Sequence, residues 1–136
     1  MDFQPVSSSH IHLINSYSET HIVINGQRYQ HNLILTPDKI LADWLPEGWE
    51  HLTELDLQPV LSLQPDIFLL GTGQKPRFPA AALLRPFIEA RIGYEIMGTT
   101  AACRTYNILA TEGRSVVTGL LFDQSDKYNS DGSNDN

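Results

Sequence analysis

Apolar residues follow two different spacings in the second half of the chain. Residues 67–70 and 115–122 form short, nearly continuous apolar runs, which are typical of strands covered on both faces, as in a parallel sheet beneath helices. Residues 79–90 and 100–111 instead show the spacing of helices with one buried face, and a short apolar run at 94–97 separates them. The pattern predicts a βαβαβ unit, whose right-handed crossovers place parallel strands side by side.

Turn and cap residues fit this interpretation. Pro79 suits the first turn of a helix, where its missing N–H is not needed. Thr99 is the predicted N-cap of the second helix, and Gly113 suits its C-terminal end.

The first half of the chain predicts β structure. Asn25-Gly26 is a strong hairpin turn between strands at 20–24 and 27–35, because both residues tolerate positive φ. Short strands are also predicted at 11–14 and 39–44. A short helix follows, either capped by Thr53 or starting at Asp56 and reaching about residue 63.

The chain ends predict a simple domain organisation. Residues 1–9 have no periodicity and are expected to be flexible, and residues 10–122 form one domain. Residues 123–136 are mostly Asp, Ser, Asn and Gly, which cannot offset their ordering entropy by burial, so a disordered acidic tail is expected.

Composition narrows the class of protein. Cys103 is the one cysteine of 136 residues, so an internal disulfide is excluded and a soluble protein of the reducing cytoplasm is expected. No stretch approaches the roughly 20 apolar residues of a membrane span, and no signal peptide is recognised.

The net charge of −7 argues against nonspecific nucleic-acid binding. It is unevenly spread, however, because residues 71–114 hold six Lys and Arg against three Glu. This basic segment either attracts an anion or an acidic protein partner, or balances the acidic remainder of the chain.

The candidate site lies where the strand at 67–70 ends. Ligands of open α/β sheets bind in the crevice outside the carboxyl ends of the strands, and helix N-termini attract anions. The spacing matches neither a phosphate loop nor G-x-G-x-x-G, so the glycines alone are a weak indication. The candidates for anion binding or interaction are Gly71, Thr72, Gly73, Arg77, Thr99, Thr100, Arg104, Asn107, Glu112 and Arg114.

Two interpretations of the helix at 100–111 stay open. Thr100, Arg104, Asn107 and Thr111 form one polar stripe, while Ala102, Tyr106 and Leu109 form an apolar one. The polar stripe is either a solvated face or part of a cleft or partner surface. Glu112 and Arg114 bracket Gly113 and by themselves indicate no function.

No constellation predicts catalysis, a metal or a cofactor. Cys103 has no histidine near it in sequence and is expected to fill space in the core. His10 and His12 share one face of a strand but lack a third ligand. Neither G-x-S-x-G nor H-E-x-x-H occurs, so we do not expect an enzyme of recognised type.

Several of these residues fall in motifs that resemble one family across residues 10–122. The motifs are Pro65-Asp66 before Leu69-Leu70-Gly71-Thr72-Gly73, Glu95-Ile96-Met97 before Thr99-Thr100-Ala101-Ala102, Arg104-Thr105-Tyr106-Asn107-Ile108-Leu109, and Glu112-Gly113-Arg114. The family is that of the Mth-like domains, which includes the third alpha-subcomplex assembly factor of mitochondrial complex I and the adipogenesis-associated Mth-domain protein. The resemblance implies a three-layer α/β fold with a mixed central sheet, one strand of it antiparallel, beside an N-terminal β portion. It carries over no catalytic residues.

Two functional hypotheses result. The leading one is a non-enzymatic protein-interaction or assembly domain that uses residues 71–78 and the helix from Thr99. The alternative is a small-molecule or anion-binding protein, or an enzyme of unrecognised type, in which Thr72, Arg77, Thr99 and Arg104 converge on the crevice. The sequence indicates neither the partner nor the oligomeric state.

Overall fold

A computed structural model describes residues 11–45 and 47–123. The predicted flexible segment 1–9 and the predicted tail from residue 124 onward lie outside these ranges. The strands are β1 (Ile14–Tyr17), β2 (Ile22–Ile24), β3 (Gln27–Tyr29), β4 (Leu33–Thr36), β5 (Lys39–Leu41), β6 (Ile67–Thr72), β7 (Gly93–Met97) and β8 (Val116–Leu121). The helices are α1 (Glu54–Leu63), α2 (Ala81–Glu89) and α3 (Thr99–Thr111), and Trp49–His51 forms a short 3₁₀ turn.

The larger sheet has five strands in the order β5-β4-β8-β6-β7. β6 lies in the centre of the predicted βαβαβ unit and pairs in parallel with both β7 and β8. β4 pairs antiparallel with β8 and with β5. The mixed sheet implied by the family resemblance is therefore confirmed. β1, β2 and β3 form a separate antiparallel sheet of three strands.

Two hydrophobic clusters on opposite faces of the large sheet create three layers. Phe68 and Leu70 of β6 pack with Phe87 of α2 and with α1 on one face. Leu69, between them, packs on the other face with α3 and with the β1-β2-β3 sheet. This alternation explains why β6 is a continuous apolar run, since successive side chains of a strand point to opposite faces and both are buried here.

The predicted strand at 27–35 is wrong as a single element. It divides into β3 and β4, which belong to different sheets. Asn32 lies at the division, where its side-chain amide donates to the Leu45 carbonyl at 3.0 Å and its side-chain oxygen accepts from the Phe122 N–H at 2.9 Å. These long-range bonds redirect the chain, and residues of β4 are then buried on both faces. Asn25 and Gly26 have the predicted positive φ, at 53° and 82°.

Other element boundaries differ by a few residues. The first strand spans Ile14–Tyr17 rather than 11–14, and β5 ends at Leu41 rather than 44. The Thr53 alternative is correct for α1, because the Asp56 carboxylate accepts from the Thr53 N–H at 2.8 Å. Gly98, not Thr99, is the N-cap of α3, because the Thr99 hydroxyl is bonded to β8 instead.

Candidate functional site

Thr99 joins three segments at the carboxyl ends of the parallel strands. It is completely buried, and its hydroxyl accepts from the Gly73 N–H at 2.8 Å and donates to the Leu121 carbonyl at 2.5 Å. Its own N–H donates to the Gly73 carbonyl at 2.7 Å. Gly71 permits this close approach, because a Cβ there would lie 3.0 Å from the Thr99 Cα. Gly71, Gly73 and Thr99 therefore make one packed junction, as their shared sheet edge predicted.

Thr72 shapes the loop that follows the junction. Its buried hydroxyl donates to the Lys75 carbonyl at 2.8 Å and accepts from the Arg77 N–H at 2.8 Å. The Arg77 side chain turns back, because its Nε donates to the Thr72 carbonyl at 3.2 Å and its Cζ lies 5.2 Å from the centre of the Trp49 ring. Residues 72–77 are thus fixed by their own hydrogen bonds, while the next residue, Phe78, is 71% exposed.

Asp123 completes this loop, although the sequence assigned it to the tail. Its Oδ2 accepts from the Gln74 N–H at 2.9 Å, and its own N–H donates to the Glu19 carbonyl at 2.9 Å. Gly73 has a φ of 96°, and a Cβ there would collide with Asp123 Oδ1. Asp123 is therefore hydrogen-bonded to the loop and to Glu19, at the first position of the segment that the sequence predicts as the tail.

The candidates further along α3 are placed differently. Thr100 is half-buried in the first turn and Arg104 is exposed. Asn107 does not face solvent freely, because its Oδ1 accepts from the Ile14 N–H and its Nδ2 donates to the Ile14 carbonyl, both at 2.9 Å. Its neighbour Tyr106 donates its hydroxyl to the His12 carbonyl at 2.6 Å. These two side chains attach the β1-β2-β3 sheet to the helix.

Glu112 and Arg114 lie at the far end of α3. The helix rises along its 13 residues by about 20 Å, so these side chains are not part of the junction at Thr99. Gly113 has a φ of 81°, and the Gly113 and Arg114 N–H groups donate to the carbonyls of Ala110 and Leu109. This is a Schellman motif, so Glu112-Gly113-Arg114 terminates the helix.

A cavity of about 540 Å³ opens beside Arg77. Sequence reasoning missed most of its walls, since residues from the first half of the chain line it and no spacing connects them with Arg77. Carboxylate side chains from both halves of the chain line the cavity together with Arg77, so the cavity is not purely basic. Its charged, aromatic and imidazole residues are His31, Glu47, Trp49, Glu50, Arg77, Phe122 and Asp123.

Comparison with known proteins identifies the family. A family model described as "Protein of unknown function (DUF498/DUF598)" matches residues 14–121. The chain belongs to the DUF498/DUF598 family. It is similar to the "13 kDa major membrane protein" of Francisella tularensis subsp. holarctica, with 29% identity over 74% of this chain and 82% of that protein. It is also similar to "NADH dehydrogenase [ubiquinone] 1 alpha subcomplex assembly factor 3" of Bos taurus, with 32% identity over 79% of this chain and 59% of the relative's length.

Solved structures agree with the fold of this DUF498/DUF598 domain. A crystal structure of a Bordetella parapertussis protein has a TM-score of 0.76 and 34% identity, covering 83% of this chain and 97% of that one. The solution NMR structure of a Mth938-like domain from Bordetella pertussis has a TM-score of 0.71 and 28% identity, covering 83% of this chain and 87% of that one. The predicted membership in the Mth-like family is confirmed.

The titratable groups of the DUF498/DUF598 core are held neutral. Burial raises the pKa of the Cys103 thiol to about 12, so little reactive thiolate forms at neutral pH. Burial, together with the charge of Asp38, raises the pKa of the Tyr106 hydroxyl above its usual range. Within residues 11–45 and 47–123, no group of three or more His, Cys, Asp or Glu side chains could hold a metal ion. No helix in the described part of the chain is long and apolar enough to cross a membrane.

Proposed function

We propose that this domain is a non-enzymatic protein-interaction or assembly domain, and that it contacts its partner through the Phe78 loop, residues 73–80. The observation that carries the proposal is the presentation of Phe78. This large aromatic side chain is 71% exposed, yet it directly follows a segment whose conformation is fixed by Thr72.

An aromatic side chain on a fixed loop suits protein recognition. Burying a Phe side chain contributes about 1.5–3 kcal/mol, and pre-organisation lowers the entropy lost on binding. Aromatic residues in such positions are frequent anchors of interfaces. Ile88, near the C-terminal end of α2, is a second large hydrophobic side chain that is exposed.

The charges around Phe78 favour an acidic partner. Lys75 and Arg85 are exposed on either side of it, and the segment 71–114 carries a net charge of +3. A partner surface with carboxylates would be attracted to this segment over about 8–10 Å at physiological ionic strength.

The relatives support an assembly role at the level of the family. The Bos taurus relative is named as an assembly factor of the NADH dehydrogenase 1 alpha subcomplex, but the match spans 59% of its length. We extend from that name only the general role of assisting the assembly of other proteins. A cytoplasmic location, predicted from the sequence, is part of the same proposal.

Cross-linking in the source cells tests the proposal. Tagged wild-type protein, Phe78→Ala and Ile108→Ala are cross-linked, purified and compared by quantitative mass spectrometry. Ile108 is a matched control, because it is 53% exposed but lies on α3, across the large sheet from α2. A partner captured by wild type and Ile108→Ala but lost with Phe78→Ala supports the Phe78 loop. Equal capture by all three proteins contradicts it.

The cavity beside Arg77 favours the alternative function of small-molecule binding. Its volume of about 540 Å³ is within the range of ligand sites. Trp49 lines it, whereas the other tryptophan, Trp44, is buried. A ligand in this cavity would change Trp49 fluorescence, and that change would be lost in a Trp49→Phe variant. A ligand screen in which the fluorescence of wild type never changes would contradict the alternative.

A further inference from the structure

The Asp123 carboxylate lies where the sequence predicted an external anion. Its Oδ2 accepts from the Gln74 N–H at 2.9 Å, at the loop that follows the carboxyl end of β6. Its Cγ and the Nη2 of Arg77 lie 3.2 Å and 3.5 Å from the point that a Cβ on Gly73 would occupy. A carboxylate and a guanidinium therefore both lie on the same side of Gly73, next to space that any other residue at 73 would fill.

Three further N–H groups of this region are bonded within the domain. Those of Gly73, Arg77 and Thr99 donate to Thr99 Oγ1, Thr72 Oγ1 and the Gly73 carbonyl respectively. Among these four N–H groups, that of Gln74 donates to a carboxylate, and this bond marks the position of an anion in this region. We call the Gln74 N–H, the Arg77 guanidinium and the open side of Gly73 the oxyanion site.

We propose that Asp123 is a displaceable internal ligand of the oxyanion site, which binds a carboxylate of a protein partner when Asp123 withdraws. Displacement is feasible because Asp123 is half-exposed and lies outside β8, two residues after that strand ends. When a partner's carboxylate replaces that of Asp123, the Gln74 N–H again donates a charge-assisted hydrogen bond. The exchange therefore conserves the type of bond.

This inference rests on the proposed function, because it gives the partner of the Phe78 loop a chemical feature. The partner would place a carboxylate at Gln74 while it packs an apolar surface on Phe78. Asp123 would then compete with the partner, since a tethered group acts at an effective concentration in the millimolar range.

Acetate titrations of the purified protein test the site without any partner. Amide chemical shifts of wild type and Asp123→Ala are followed in acetate, with sodium chloride at equal ionic strength as the reference. For Asp123→Ala we expect changes concentrated at residues 73–77, with half-saturation at an acetate concentration about tenfold or more below that for wild type, because the internal competitor is gone. Arg77→Ala in the Asp123→Ala background should abolish the response.

Each other outcome overturns the proposal. Equal half-saturation in wild type and Asp123→Ala shows that Asp123 does not occupy the site, and no response in Asp123→Ala shows that there is no site. If Asp123→Ala does not fold, Asp123→Asn keeps the shape and removes the charge, and it should respond more strongly than wild type. An Asp123→Asn protein as unresponsive as wild type overturns the proposal. Failure here leaves the Phe78 cross-linking result unaffected, so the two proposals fail separately.

Discussion

Replacing Asn107 by Ala separates a structural role from a role in binding. The sequence placed Asn107 on a polar stripe that either faces solvent or lines a partner surface. The structure instead gives its amide two bonds of 2.9 Å, one from the Ile14 N–H and one to the Ile14 carbonyl. Ile14 belongs to β1, an edge strand of the small sheet, so Asn107 takes the place of a missing neighbouring strand.

The loss of stability follows from those two bonds. Each contributes about 0.5–1.5 kcal/mol net, so their loss costs about 1–3 kcal/mol. Ala has a higher helix propensity than Asn, which offsets about 0.5 kcal/mol of this loss in the free energy of unfolding. We expect a net destabilisation of about 0.5–2.5 kcal/mol, which for a domain of this size corresponds to a decrease in Tm of about 2–10 °C.

Urea unfolding and thermal melts of Asn107→Ala and Arg104→Ala measure this loss. Arg104 is the matched control, because it lies on the same helix and in the same predicted stripe but is exposed, and surface changes usually stay within about 0.5 kcal/mol. The amide of Ile14 should also exchange faster with solvent in Asn107→Ala. If Asn107→Ala is as stable as Arg104→Ala and hydrogen exchange of the Ile14 amide is unchanged, the two bonds do not hold the sheet. That result would favour the interpretation that Asn107 lines a partner surface.

Two further predictions concern the junction and the core. Thr118→Val should increase stability by about 1 kcal/mol in urea unfolding, because the buried Thr118 hydroxyl has no hydrogen-bond partner within the described residues; a decrease would show that the hydroxyl is bonded. Gly73→Ala should lower the Tm more than Gly26→Ala. Both glycines have positive φ, but of the two only a Cβ at 73 would collide with Asp123. Equal decreases in Tm would contradict the packing of Asp123 on the loop.

The second half of the fold could be predicted because its information is local. β6, α2, β7, α3 and β8 each appear in the sequence as an apolar spacing with turn residues at its ends. Parallel connection then follows from the handedness of crossovers. The closeness of Gly73 and Thr99 was predictable for the same reason, since the carboxyl ends of adjacent parallel strands share one edge of a sheet.

The rest depends on contacts between residues far apart in sequence. Nothing in the alternation of residues 27–35 shows that the Asn32 side chain bonds to Leu45 and Phe122, and these bonds divide the predicted strand. Asp123 resembles a tail residue in composition, yet Gln74 and Glu19 bind it. Local patterns report which face is apolar, but they do not report which distant backbone group a polar side chain reaches.

The motifs that identify the family are mostly used to build the domain. Thr99 forms the junction with Gly73, Thr72 fixes the loop after it, Tyr106 and Asn107 attach the small sheet, and Gly113 ends α3. Their hydrogen-bonding groups face inward, so changing them would alter stability before it altered binding. In the function that we propose, recognition depends on side chains that the fold holds outward from these fixed points. Phe78 meets that condition most directly, because the bonds of Thr72 fix the segment before it while its ring remains exposed.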